Sequence, residues 1–169
     1  MSILKIYQYP AEVLRQKAKP VDTFDGELAR LAKDMAETMY DAPGIGLAAP
    51  QIGVSRQLVV VDTSRDPNGG REFLTLVNPE IIAHEGSQLD EEGCLSVPEL
   101  IADVKRYKRI TVSYQDLDGQ NHQFCTSDRF AVVLQHELDH LNGILFIDHL
   151  SPLKRNLYKK KVKKWLEEA

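Results

Sequence analysis

The segment from Ser127 to Asn142 limits the fold most strongly, because one helix there has to be both apolar and chemically equipped. Val132, Val133, Leu134 and Leu138 recur at helical spacing, Ser127 or Asp128 can cap the start, and Gly143 suits the left-handed position just past the end. Within that frame stands His136-Glu-Leu-Asp-His140. Two histidines four apart on a helix differ by about 40° of rotation and about 6 Å of rise, so both imidazoles can reach one metal ion. Glu137 sits beside the pair, placed to take a proton from a metal-activated water. A solvated polar face is the alternative, but the apolar neighbours make unpaired charge costly, and a metal accounts for all three polar groups. The rest of the chain must therefore pack around this helix.

A catalytic site of this type needs a third protein ligand and an open position for water. His140-Leu-Asn-Gly143 begins a pattern that ends elsewhere in a third histidine, but Phe146 occupies the place of that ligand. His149 comes three residues too late and reads as part of a turn or a hydrogen-bonded surface site. Glu167 and Glu168 lie at the fraying end of the last helix, a poor anchorage for a rigid ligand. The thiols remain. Cys125 lies in an expected strand next to Phe124 and reads as a small buried apolar residue. Cys94, in the loop Glu92-Gly-Cys-Leu-Ser96, is favoured over Cys125 as a ligand, and a buried thiol is the other reading for it.

With 169 residues, 43% of them hydrophobic, the chain can bury a core without help from a metal, so a metal site reads as functional. One catalytic domain over 1–169 is expected. Two cysteines and no basic start followed by an apolar run point to a reducing compartment, the cytoplasm. No apolar stretch approaches the roughly 18 residues of a membrane span. Charge is divided unevenly. Residues 151–169 hold seven Lys/Arg against two acidic residues, a balance of +5, and leave 14 basic and 23 acidic residues, a balance of −9, in 1–150. A basic tail on an acidic body fits a polyanionic partner for the tail, and a solvated helix face fits it as well.

The remaining pattern predicts an α+β fold with mostly antiparallel strands packed around the metal-binding helix, plus a C-terminal helix at about 151–167. A helix is expected from Asp25 to Tyr40, with Leu28, Leu31, Ala32, Met35 and Met39 on its buried side. Gln57–Asp62 and Phe73–Val77 read as strands, the second stopped by Asn78-Pro79, with Ile81–His84 as an adjoining strand. Asp90–Pro98 shows neither periodicity and reads as a loop. Ile110–Gln115 and Gln120–Thr126 flank Asp118-Gly119, a strong hairpin signal. Ser151-Pro152 opens the last helix, whose Leu153, Leu157, Tyr158, Val162, Trp165 and Leu166 are expected to pack along one side. Gly44-Ile-Gly46 follows a helix, lacks a later glycine and has no Walker lysine, so nucleotide binding is not expected. Residues without bulk there leave room for a substrate main chain, with the amide of Gln51 at the segment's end.

Three stretches together resemble the peptide deformylases: Gly44-Ile-Gly-Leu-Ala-Ala-Pro-Gln51, Glu92-Gly-Cys-Leu-Ser96 and Gln135-His-Glu-Leu-Asp-His-Leu141. Order and spacing agree as well, and the similarity extends over essentially the whole chain. The resemblance implies a hydrolase that removes the formyl group from the N-terminal formyl-methionine of new polypeptides and releases formate. It implies Cys94, His136 and His140 as ligands of one divalent ion, Fe2+ physiologically, with Zn2+, Ni2+ or Co2+ as replacements in purified protein. It further implies Glu137 as general acid/base, the Gln51 side chain and the Leu95 backbone N–H as donors to the formyl oxygen, and Gly44, Ile45 and Gly46 as the segment that holds the substrate main chain. The expected partners are N-formyl-methionyl nascent peptides and, through the basic C-terminal helix, the ribosome; neither a membrane nor DNA is expected. Two other classes share parts of the pattern. A general zinc-dependent peptidase would use the same His-Glu-x-x-His helix, and a metal-stabilised binding module would hold the ion without turnover.

Overall fold

The computed structural model describes residues 2–62, 64 and 72–169. Five strands form one antiparallel sheet in the spatial order β1 (Gly46–Ala48), β2 (Leu58–Asp62), β3 (Phe73–Glu85), β6 (Arg109–Gln115), β7 (Asn121–Ser127). A separate antiparallel hairpin pairs β4 (Gln88–Cys94) with β5 (Val97–Arg106). The helices are α1 (Gly26–Asp41), α2 (Asp128–Leu141) and α3 (Pro152–Glu168). The class is α+β, and no helix among the described residues is long and apolar enough to cross a membrane.

The sheet is sandwiched between α1 and α2, and β2 explains why. Its run Leu58-Val-Val-Val61 is apolar at every position because both faces are covered. Leu58 and Val60 join Leu28, Ala32, Met35 and Met39 of α1, whereas Val59 and Val61 join Ala131, Leu134 and Leu141 of α2. Asp25 caps α1 by accepting from Leu28 N at 3.0 Å, and Ser151 caps α3 by accepting from Lys154 N at 3.3 Å. Gly143 ends α2 at φ 73°, where a Cβ would also lie 2.5 Å from the Arg15 carbonyl oxygen, so only glycine fits on both counts. A third apolar cluster joins β5 and α3 through Val97, Val104, Phe146, Tyr158 and Val162.

Four expectations need correction. Asn78-Pro79 does not stop a strand: β3 runs through it, with a register shift between Val77 and Glu80. Asn78 adopts φ 50° and its side chain bonds both Val21 and Gln115, so the irregularity is absorbed as a bulge. Asp90–Pro98 is not a loop but most of β4, the hairpin turn at Leu95 and Ser96, and the start of β5. The usual alternation is inverted there, because Leu89 faces solvent while Glu92 is buried. Cys125 is exposed, since Phe124 takes the inward position beside Phe130 and the period of two turns the thiol out. On α3 only Tyr158 and Val162 are buried and Trp165 is half-buried; Leu153, Leu157 and Leu166 are exposed.

Candidate metal centre

Helix α2 presents His136 and His140 from one side, their rings 5.0 Å apart at 75°, and the turn of the β4–β5 hairpin brings Cys94 to meet them. The three candidate ligand atoms lie within 4.8 Å of one another, the one such cluster among the described residues. Cys94 Sγ is 3.4 Å from His140 Nε2. That separation matches the roughly 3.5 Å between a thiolate and an imidazole on one tetrahedral ion. Ser96 N donates to Cys94 Sγ at 3.4 Å and Gln51 Nε2 points at the same sulfur from 3.7 Å, which disperses negative charge on it.

His136 is oriented from behind. Its Nδ1 lies 2.9 Å from Glu92 Oε1, and Arg106 grips the same carboxylate with Nε at 2.8 Å and Nη2 at 2.9 Å. Burial alone would raise the Glu92 carboxyl, but the bonds from Arg106 and His136 hold it down to about 2. An ionised carboxylate only accepts, so Nδ1 carries a proton and Nε2 is the nitrogen that would hold a metal. Burial also opposes protonation of His136, while Cys94 and Glu92 work the other way and raise it; burial and the neighbouring His136 push His140 down, so that His140 is a neutral donor. The remaining arm of Arg106 reaches Asp139 Oδ2 at 2.6 Å, and Asp139 also bonds His149 at 2.9 Å.

Glu137 is 4% exposed, and its Oε1 has no hydrogen-bond partner among the described residues. A buried orphan of this kind costs about 1–3 kcal/mol unless something outside the chain completes it. Cys94, His136 and His140 would hold a divalent ion beside this orphan, and the soft thiolate and two imidazoles suit one. Burial pushes the Glu137 carboxyl up to about 7, with His136 and Arg106 partly offsetting it. A group poised there exchanges protons readily near neutral pH.

These residues face a cleft of about 650 Å³ whose floor includes Val132, Val133, His136 and Glu137. Gly44, Ile45 and Gly46 form one wall, and Gly93, Cys94 and Leu95 the opposite one. The glycines set the width. A Cβ on Gly46 would lie 2.5 Å from Glu137 Oε2, and one on Gly44 would lie 3.1 Å from Leu95 Cδ1. Gln51 closes the end, its Oε1 accepting from Ala48 N at 3.0 Å and its Nε2 donating to Ser96 Oγ at 3.1 Å.

Cys94, His136, Glu137, Gln51, Leu95 and Gly44–Gly46 are thus gathered around one cleft, and His140 is buried in the same ligand cluster as Cys94 and His136. The rejected ligand candidates lie elsewhere: His149 on Asp139, Cys125 exposed beside Arg109, and Glu167 and Glu168 exposed at the end of α3. Sequence reasoning missed Arg106 and Asp139 and gave Glu92 no role. Glu92 lay inside a quoted motif, but Arg106 is 14 residues away and no local pattern marks it.

The whole site also has relatives. Residues 3–156 match the family model described as polypeptide deformylase. A peptide deformylase of Desulfotalea psychrophila is 64% identical over 165 residues, 98% of each chain. The crystal structure of a peptide deformylase from Legionella pneumophila superposes with TM-score 0.90 at 48% identity, covering 98% of this chain and 96% of that one. A Met-Ala-Ser-bound crystal structure of a class I type b peptide deformylase from Acinetobacter baumannii gives TM-score 0.83 at 34% identity, over 89% of this chain and 100% of that one. The chain belongs to the polypeptide deformylase family, the metal-dependent hydrolases that take the formyl group from the N-terminal methionine of new polypeptides.

Proposed function

We propose that this chain, as one catalytic domain over 1–169 in the cytoplasm, deformylates N-formyl-methionyl nascent peptides with Cys94, His136 and His140 holding one Fe2+ ion. The observation that carries this reading is the buried Glu137 Oε1, without a hydrogen-bond partner among the described residues, in the cleft that the candidate ligands Cys94 and His136 also line. A divalent ion bound there supplies Lewis acidity, acidifying water and polarising the formyl carbonyl. The substrate main chain lies extended along Ile45 and Gly46, at the outer edge of β1, as an added strand. Glu137 takes a proton from the attacking water and later returns it to the departing amine nitrogen. Gln51 Nε2 and the Leu95 N–H donate to the oxygen on which negative charge develops, and one well-placed donor is worth about 3 kcal/mol in comparable sites. Discrimination against acetylated ends comes from size, since the formyl group has hydrogen where an acetyl has methyl. The Met-Ala-Ser peptide in the Acinetobacter baumannii relative supports a methionine-first product.

Iron follows from the family resemblance, and a ferrous centre with a thiolate ligand is sensitive to oxygen. The exposed lysines of α3 are proposed to dock the enzyme on ribosomal phosphate. Charge reversal at Lys160 and Lys164 then weakens ribosome binding and its salt dependence without changing turnover of a short peptide.

The direct test is formate release by anaerobically purified protein. Formyl-Met-Ala-Ser is cleaved and unblocked Met-Ala-Ser is left intact; the reverse preference would make the chain a general peptidase.

A further inference from the structure

A deformylase acts on the first residue of a long chain, so everything after that residue has to leave the cleft along the protein surface. A second groove, of about 460 Å³, begins where the cleft ends. It runs between β5 and α3, over Leu100, Ala102, Leu150 and Leu157. Glu99, Leu100 and Ile101 line both the cleft and this groove, so the two adjoin along that stretch of β5. Ile101 marks the crossing: its Cγ1 lies 3.8 Å from where a Cβ on Gly93 would stand, next to Cys94, and 67% of the residue is exposed.

The strand is bent at that crossing. Glu99 adopts φ 61°, a left-handed conformation uncommon for a side-chain-bearing residue, and the preceding Pro98 carbonyl accepts from Tyr158 OH at 2.8 Å. Tyr158 thereby ties the start of β5 to α3 and holds the groove open beside the cleft. On the helix side Lys154, Leu157 and Lys161 fall on one face, spaced three and four apart. Leu157 is 58% exposed, an apolar side chain between two lysines, and it lines the groove together with Glu99 and Asp103. The rims carry charges of both signs, Glu91, Glu99 and Asp103 against Lys154 and Lys161, whereas the floor of Leu100, Ala102 and Leu150 is apolar.

We infer that this groove is a downstream binding site of the enzyme, taking an apolar side chain at about the fourth or fifth residue of the polypeptide whose first residue is in the cleft. The inference rests on the deformylase reading of that cleft. Length supports the register, since an extended chain advances about 3.3 Å per residue and three residues span only about 10 Å. A tripeptide therefore has no residue to spare beyond the cleft's first three positions, whereas a hexapeptide has about 10 Å more of chain to lay into the groove.

The test compares kcat/KM for formyl-Met-Ala-Ser, formyl-Met-Ala-Ser-Leu-Leu-Ser and formyl-Met-Ala-Ser-Ser-Ser-Ser, in the metal-loaded wild type and in Leu157→Asp. Burying one leucine predicts about a tenfold gain for the leucine hexapeptide over the other two, carried by KM. Leu157→Asp removes that gain and leaves the tripeptide value unchanged. Equal values for all three peptides, or a gain that survives Leu157→Asp, would overturn the groove while leaving the deformylase reading intact. No formate from any of the three would overturn both.

Discussion

The five-stranded sheet and the β4–β5 hairpin both pack on α2, but by opposite chemistry. Against the sheet, α2 presents Ala131, Leu134 and Leu141 to Val59, Val61, Leu76 and Ile110, all of them buried hydrocarbon. Against the hairpin it presents His136, Asp139 and His140 to Glu92, Cys94 and Arg106. Apolar contacts are non-directional and tolerate small shifts, so they suit the side that supplies stability. Charged hydrogen bonds fix position and angle, so they suit the side that aims a ligand. The helix thus divides its two sides between holding the fold and setting the site.

The sharpest separation is expected at Glu137. Glu137→Gln removes the proton carrier without removing a ligand, and kcat should fall by roughly 10²–10⁴ while metal content and melting temperature stay near wild type. A variant with near-normal kcat would remove Glu137 from the proposed chemistry.

Next in size, Arg106→Met strips the counter-charge from Glu92. Breaking one partner of a buried pair destabilises by about 3–5 kcal/mol, and loss of outer-shell support weakens metal affinity roughly 10–100-fold. Leu134→Ala, on the other side of the same helix, should cost about 3 kcal/mol in stability but leave the metal affinity of the folded protein unchanged. Denaturant melts paired with metal titrations check both variants. Equal effects of the two on metal affinity would erase the distinction between the sides.

The same division decides what could be read from sequence. Hydrocarbon packing leaves a period in the chain, so α1, β2 and the hairpin around Asp118-Gly119 follow from the spacing of Leu, Val and Met and from turn residues. The caps at Asp25 and Ser151 are visible for the same reason, being local. Non-local polar pairing leaves none. Glu92 faces inward and Leu89 outward, so β4 looked irregular until Arg106 supplied the partner. Leu153 and Leu157 misled in the other direction, since an apolar helix stripe needs a neighbour and the sequence does not name one. In the site, the helix gave the histidine pair its geometry, whereas Cys94 stood out from Cys125 chiefly through the motif around it.

A smaller effect is expected at Asp148, which ties the segment after α2 to Arg15 at 2.6 Å. Burial alone would raise its carboxyl, but Arg15 and the Leu145 N–H lower it below the ordinary 3.8. A depressed carboxyl contributes stability that is fully present above the unfolded value and is lost as pH falls through the folded one. Asp148→Asn should therefore lower the melting temperature at pH 7 by a few degrees at most, and the gap from wild type should close as pH falls below about 4. A gap that widens in acid would reverse the assigned sign.

The central claim, that the polar side of α2 and the hairpin turn hold one catalytic ion, is tested most directly by metal stoichiometry in two cysteine variants purified anaerobically. Cys125→Ser, on the exposed face of β7, should keep one divalent ion per chain, and Cys94→Ser should lose it. Full metal retention in Cys94→Ser, or loss in Cys125→Ser, would contradict the account.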